Sequence, residues 1–197
     1  MASTATKAAG TKSILTPSNT LKGHGNWIAS ISYFPDGQRM ISGSDDKTTR
    51  EWDVKTGKEI EEARDVREGS VYAVGVSKNG RWIATGGDRA ELKVCEVETG
   101  IVKKFKGHTN VITCIDISAD NMWLASASFD ETARIWNLDT GKLVAGPFKG
   151  EDPMGAVRFS PNSNKLAVKS NWGRRLEVWD VQSQKLDVKV GAPVTPT

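Results

Sequence analysis

Between residues 105 and 146 the apolar residues gather in four short runs, Val111–Ile117, Trp123–Ser128, Ala133–Leu138 and Lys142–Ala145, with turn-forming residues between them. Each run is four to seven residues long, the length of a strand rather than of a helix. No stretch keeps the 3.6-residue helical period for a useful length. The same succession of runs recurs along the chain, so the pattern predicts an all-β fold made of units of four short antiparallel strands.

The recurrence can be read residue by residue. Residues 126–141, SASFDETARIWNLDTG, match residues 42–57, SGSDDKTTREWDVKTG, at eight of sixteen positions, 84 residues apart. Weaker copies fill the halves of that interval. Trp52, Cys95, Trp136 and Trp179 occupy one position, at spacings of 43, 41 and 43. Thr-Gly turns follow at 56–57, 99–100 and 140–141, with Ser183-Gln184 in the fourth copy. An earlier turn recurs around Asp36-Gly37, Asn79-Gly80, Asp120-Asn121 and Pro161-Asn162. The copies run about 21–62, 63–104, 105–146 and 147–190, within a repeat region 13–190. A fixed period of this size marks a repeat architecture in which one unit cannot bury both of its faces alone.

The pattern GH…SxS-x-D-x-T-x-R-x-W, with Trp followed by Asp at 52–53 and 179–180, resembles the WD-repeat β-propeller family from about residue 21 to 190. The resemblance implies propeller blades of four antiparallel strands, four blades to the chain. It also implies a relay from indole N–H to hydroxyl to imidazole to carboxylate, joining Trp52, Ser42, His24 and Asp46 in the first copy and Trp136, Ser126, His108 and Asp130 in the third. It further implies a non-enzymatic scaffold that binds a protein or peptide ligand at the loop face, and carries contact positions onto Trp27, Asp45, Tyr72, Asp88, Phe129 and Trp172. Large aromatics of this kind dominate interface energetics.

The relay suits a buried site, because an indole has one donor to satisfy and an imidazole can accept at one nitrogen while donating at the other. Ser, His and Asp are also the residues of a hydrolytic triad. A structural latch is the better reading: the set occurs twice, Trp gives Ser another task, and no G-x-S-x-G elbow is present. Two histidines in separate repeats lack metal-ligand spacing, and no phosphate-cradling glycine loop or other cofactor motif occurs.

The even-numbered copies cannot form the relay. Copy two has Arg67, Thr85, Arg89 and Cys95 at the four positions, and copy four has Glu151, Val168, Gly173 and Trp179. Their blades are expected to be looser or held by something else. Four blades also leave closure open between a four-bladed ring, a homodimer closing an eight-bladed ring, and a piece of a larger protein. Ser13–Leu21 reads as a surplus outer strand, which favours closure between chains.

Composition adds little. The net charge of +3 is mild and dispersed, giving small reason to expect nucleic acid. A patch of Trp172, Arg174 and Arg175 is the alternative, a surface for nucleic acid or phosphate. Cys95 and Cys114 cannot build a disulfide framework, and no run approaches a membrane span of about 20 apolar residues. Residues 1–12 read as a polar disordered leader without a secretory core, and 191–197 as a tail. These features favour the cytoplasm or nucleus.

Overall fold

Four residues at equivalent positions, Gly37, Gly80, Asn121 and Ser163, have left-handed backbone angles, with φ of 66°, 72°, 63° and 60°. Each donates its N–H three residues back, to the carbonyls of Phe34, Ser77, Ser118 and Ser160. The side chain just before each, Asp36, Asn79, Asp120 or Asn162, accepts the N–H two residues after itself. Such Asx-supported turns reverse the chain within a few residues and start an antiparallel hairpin.

The computed structural model describes residues 20–60, 64–65, 69–172 and 175–191. It contains four four-stranded antiparallel sheets, each a meander in chain order. The first comprises β1 (Ile28–Tyr33), β2 (Arg39–Ser44), β3 (Thr48–Asp53) and β4 (Arg64–Asp65). The second comprises β5 (Val71–Val76), β6 (Trp82–Gly87), β7 (Leu92–Glu96) and β8 (Val102–Phe105). The third comprises β9 (Ile112–Ile117), β10 (Trp123–Ser128), β11 (Thr132–Asn137) and β12 (Leu143–Lys149). The fourth comprises β13 (Met154–Phe159), β14 (Lys165–Ser170), β15 (Leu176–Asp180) and β16 (Leu186–Val190). These are propeller blades, and the fold is all-β.

Two elements depart from the hydrophobic pattern. Strand β12 continues past Ala145 through Gly146 and Pro147, and a register shift against β11 between Ala133 and Ile135 absorbs the irregularity. Strand β4 falls just beyond residue 62 and pairs only with Thr48 and Thr49. The surplus strand expected at Ser13–Leu21 lies outside the described residues except for Thr20 and Leu21, which are not in a strand. The leader also lies outside them, as does the tail apart from Gly191.

The core lies between blades. One cluster joins Phe34 and Ile41 to Val71, Val74 and Ile83. A second joins Ala84, Leu92 and Val94 to Ile112, Leu124 and Trp136, and includes Trp82. The third joins Ala125, Ile135 and Phe148 to Val157, Leu166 and Val168, with Trp123 against it. Burying such side chains contributes about 1.5–3 kcal/mol each. Inner strands β1, β5, β9 and β13 pack successively, but β13 does not pack on β1 in that way. The four blades therefore form an open arc.

Candidate functional site

In blade one the Trp52 indole N–H donates to Ser42 Oγ at 2.8 Å, and Ser42 Oγ lies 2.7 Å from His24 Nε2. His24 Nδ1 lies 2.8 Å from Asp46 Oδ2. Blade three repeats the arrangement: Trp136 to Ser126 at 2.8 Å, Ser126 to His108 Nε2 at 2.7 Å, and His108 Nδ1 to Asp130 at 2.8 Å. The indole can only donate, so serine accepts from it and gives its own proton to Nε2. The imidazole therefore carries its proton on Nδ1 and donates to the carboxylate. Both serines are buried, with their oxygens already engaged. An exposed nucleophile is the opposite arrangement.

Two threonines belong to this network although they carry no part in the four-residue reading. Thr48 Oγ1 donates to Asp46 at 2.6 Å and Thr132 Oγ1 to Asp130 at 2.6 Å. The shared Asp-x-Thr spacing is their signal in the sequence. The backbone N–H groups of Gly25 and Thr109 complete each carboxylate's shell at 2.8 and 3.0 Å.

These surroundings set the proton affinities. Burial pushes the His108 imidazole below its ordinary value, and the Asp130 carboxylate only partly offsets that. Burial alone would raise Asp46, but hydrogen bonds from Thr48, Gly25 and His24 outweigh it and hold the carboxyl well below the usual range. Asp130 is lowered in the same way, burial being outweighed by Thr132, His108 and Thr109. A depressed folded-state value means fewer bound protons when folded, so this stability is present at high pH and is lost as pH falls. The melting temperature is expected to decline once pH drops below 6.5, the ordinary imidazole value, and again below 3.8, that of the carboxylates. Thermal melts should show the first decline flattened in His108→Gln; an identical decline in that variant would place its origin elsewhere.

Without the relay, the even blades still carry ion pairs, as blade one does in Arg50 with Glu59 at 2.7 Å. In blade two Glu91 meets Lys93 at 2.9 Å and Lys104 at 3.1 Å, beside a gap of about 10 Å³ bounded by Ser70, Thr85 and Asp88. In blade four Glu151 pairs with Arg175 and, at 3.3 Å, with Lys189, which also reaches Glu177 at 3.4 Å. Val168 pairs with Glu177 in the register where blade one has Ser42, so the buried Trp179 indole nitrogen has no hydrogen-bond partner among the described residues. Arg67, Gly173 and Arg174 lie outside the described residues.

Four equivalent backbone bonds define one end of the arc. Asp45, Asp88, Phe129 and Asn171 each donate N–H to the carbonyls of Trp27, Ser70, Val111 and Pro153 respectively. The contact positions carried onto the sequence therefore lie at this loop end. Asn171, not Trp172, is the register equivalent of Phe129, a shift that chain spacing does not reveal because the following turn of copy four is longer. Phe129 and Trp172 meet, with ring centroids 5.4 Å apart at 48°, while Trp172 stays 75% exposed. Trp27 is 82% exposed. Asp45 accepts Asn26 Nδ2 at 2.7 Å and Ser70 Oγ at 2.6 Å, and Tyr72 Oη lies 3.5 Å away. Asp88 accepts the Ser70 N–H at 3.2 Å. Of the basic patch, Arg175 is 12% exposed and paired with Glu151, while Arg174 lies outside the described residues.

Among the described residues there is no cluster of three or more His, Cys, Asp or Glu that could hold a metal. No helix in them is long and apolar enough to cross a membrane.

Stacked four-stranded blades tied by a Trp–Ser–His–Asp relay define a WD-type β-propeller. The family model described as WD domain, G-beta repeat matches residues 15–53, 64–90 and 100–137, just over half the chain, and the chain belongs to that family. It is 31% identical over 128 residues to a guanine nucleotide-binding protein subunit beta of Arabidopsis thaliana, covering 59% of this chain and 33% of that protein. It is 30% identical over 133 residues to small ribosomal subunit protein RACK1 of Candida albicans, covering 66% of this chain and 30% of that protein. Periodic tryptophan protein 2 of Saccharomyces cerevisiae is 25% identical over 208 residues, 83% of this chain and 22% of that protein. The chain spans about a third or less of the length of these relatives.

Proposed function

We propose that the protein is a non-enzymatic scaffold that binds a protein or peptide ligand at the loop end of its blades, with Phe129 and Trp172 as the anchor. The observation that carries this reading is the tilted aromatic pair, half of it open to solvent. An exposed tryptophan held by a neighbouring ring offers contact area at little entropic cost. Two relatives bear names that place them in larger assemblies, one a subunit and one a ribosomal protein. An arginine-bearing segment suits the site, because a guanidinium stacks on aromatic faces and Asp45 and Asp88 stand at the same end.

The test is an array of arginine-containing peptides, followed by titration of the strongest binder. Trp172→Ala and Phe129→Ala should each weaken it at least about tenfold, the loss of an interface hot spot, with unchanged melting temperature for Trp172→Ala. Unchanged affinity in both variants would reject the aromatic anchor.

A further inference from the structure

Each end of the arc exposes residues that its inner counterparts bury. Ile31 and Tyr33 of β1 are 57% exposed, whereas Val74, Ile115 and Val157, the counterparts of Ile31, are 6% exposed or less. At the other end Leu176 and Val190 are 45% and 57% exposed, against 3% or less for Leu92 and Phe105 in blade two. The register makes these equivalences firm: Leu176 pairs with Val190 as Leu92 pairs with Phe105. The two bare faces are the two halves of the junction that the chain makes three times internally.

One position breaks the match. At each internal junction the second strand presents a very small residue to the next blade: Gly43, Gly86 and Ala127. A Cβ on Gly43 would lie 2.6 Å from Val71 and 2.7 Å from Val74, and one on Gly86 would lie 2.6 Å from Ile112. Ala127 is fully buried in the third junction. The same register position in blade four, opposite Ala156 and Leu176, is Lys169. It is exposed and, among the described residues, makes no ion pair.

We propose that Lys169 is a specificity residue: it prevents blade four from receiving the blade-one face of a second copy, and so keeps two of these chains from closing an eight-bladed ring. The position tolerates at most one methyl group, and lysine brings four methylenes and an ammonium. Docked in the internal register, the side chain would meet the aliphatic side chains of the second copy's Ile28 and Ile31, the counterparts of Ile112 and Ile115. An unpaired charge buried against aliphatic carbon is strongly unfavourable. Charges that point from an otherwise sticky sheet are a known device against edge and face association. Of the other cations on this face, Arg158 turns back to Asp116 at 2.9 Å and Lys165 holds Asp180 at 2.8 Å, and neither is needed for the effect.

The full chain should be compared with Lys169→Ala, the residue found at Ala127, by light scattering across a concentration series. Wild type is expected near 21.4 kDa. The variant should self-associate at least about a hundredfold more tightly, reaching twice that mass, and Ile31→Glu in the same chain should return it to the monomer. Matching circular dichroism and melting curves would show that the fold is intact, as expected for exposed sites. Equal association of wild type and Lys169→Ala, whether both are monomers or both dimers, would overturn the proposal. So would variant association that Ile31→Glu leaves untouched.

Discussion

Replacing His108 by alanine is expected to cost about 2–4 kcal/mol and lower the melting temperature by roughly 5–15 °C. The imidazole is the middle of the blade-three relay, held by Ser126 at 2.7 Å and Asp130 at 2.8 Å. Its removal leaves a buried hydroxyl proton without an acceptor and a nearly buried carboxylate short of a donor, and opens a cavity beside Trp136, whose ring centroid is 6.0 Å away. Stranded buried groups cost about 1–3 kcal/mol, and the cavity adds to that. Trp52→Phe, which removes the donor that begins the other relay, should act in the same direction. Cys95→Ser is the contrast, because blade two has no relay to break, and should cost less than about 1 kcal/mol. Equal melting temperatures for His108→Ala and Cys95→Ser would remove the relay from the account of stability.

Gly87→Ala should be as damaging, for a backbone reason. A Cβ built there lies 1.8 Å from the Ser70 carbonyl oxygen, 2.9 Å from its carbon and 3.2 Å from Val71 Cα. These are main-chain atoms, fixed by the bond from Asp88 N–H to Ser70 O at 3.1 Å and by the pairing of Val71 with Gly87. No rotamer can relieve the clash, so the end of β6 must move away from β5, at a cost of at least about 3 kcal/mol. Gly75→Ala is the control in the same sheet. Its Cβ would meet only the side chains of Ile115 at 3.6 Å and Ile117 at 3.9 Å, ordinary contacts, and stability should change by less than about 1 kcal/mol. Urea denaturation of the two variants separates them, and a mild Gly87→Ala would show that the β5–β6 bulge is more pliant than its bonds suggest.

Much of this was legible in the chain because each repeat writes its own local chemistry. The Asx turns, the Thr-Gly turns and the Trp–Ser–His–Asp spacing depend on residues close in sequence or repeated at a fixed offset. What could not be read depends on register across the sheet. The lone indole of Trp179 follows from Val168 facing Glu177, and the pairing of Glu151 with Arg175 and Lys189 joins residues from three separate segments. Strand β12 escapes the pattern because Gly146 and Pro147 look like a stop, whereas a bulge carries the strand through them. Lys169 looks like any solvated lysine until it is aligned with Gly43, Gly86 and Ala127. The aromatic pair was half visible: both rings could be placed in loops, but only the fold puts Phe129 against Trp172.

Binding of an arginine-bearing peptide at the loop end of the arc should protect the backbone amides there, as amide hydrogen–deuterium exchange with and without the peptide would measure. Protection is predicted in the loops around residues 25–27, 45–47, 88–90, 129–131 and 171–172, with the outer strands β8, β12 and β16 unchanged. Protection confined to those outer strands or to the bare faces of β1 and β15 would place the peptide away from the loop end.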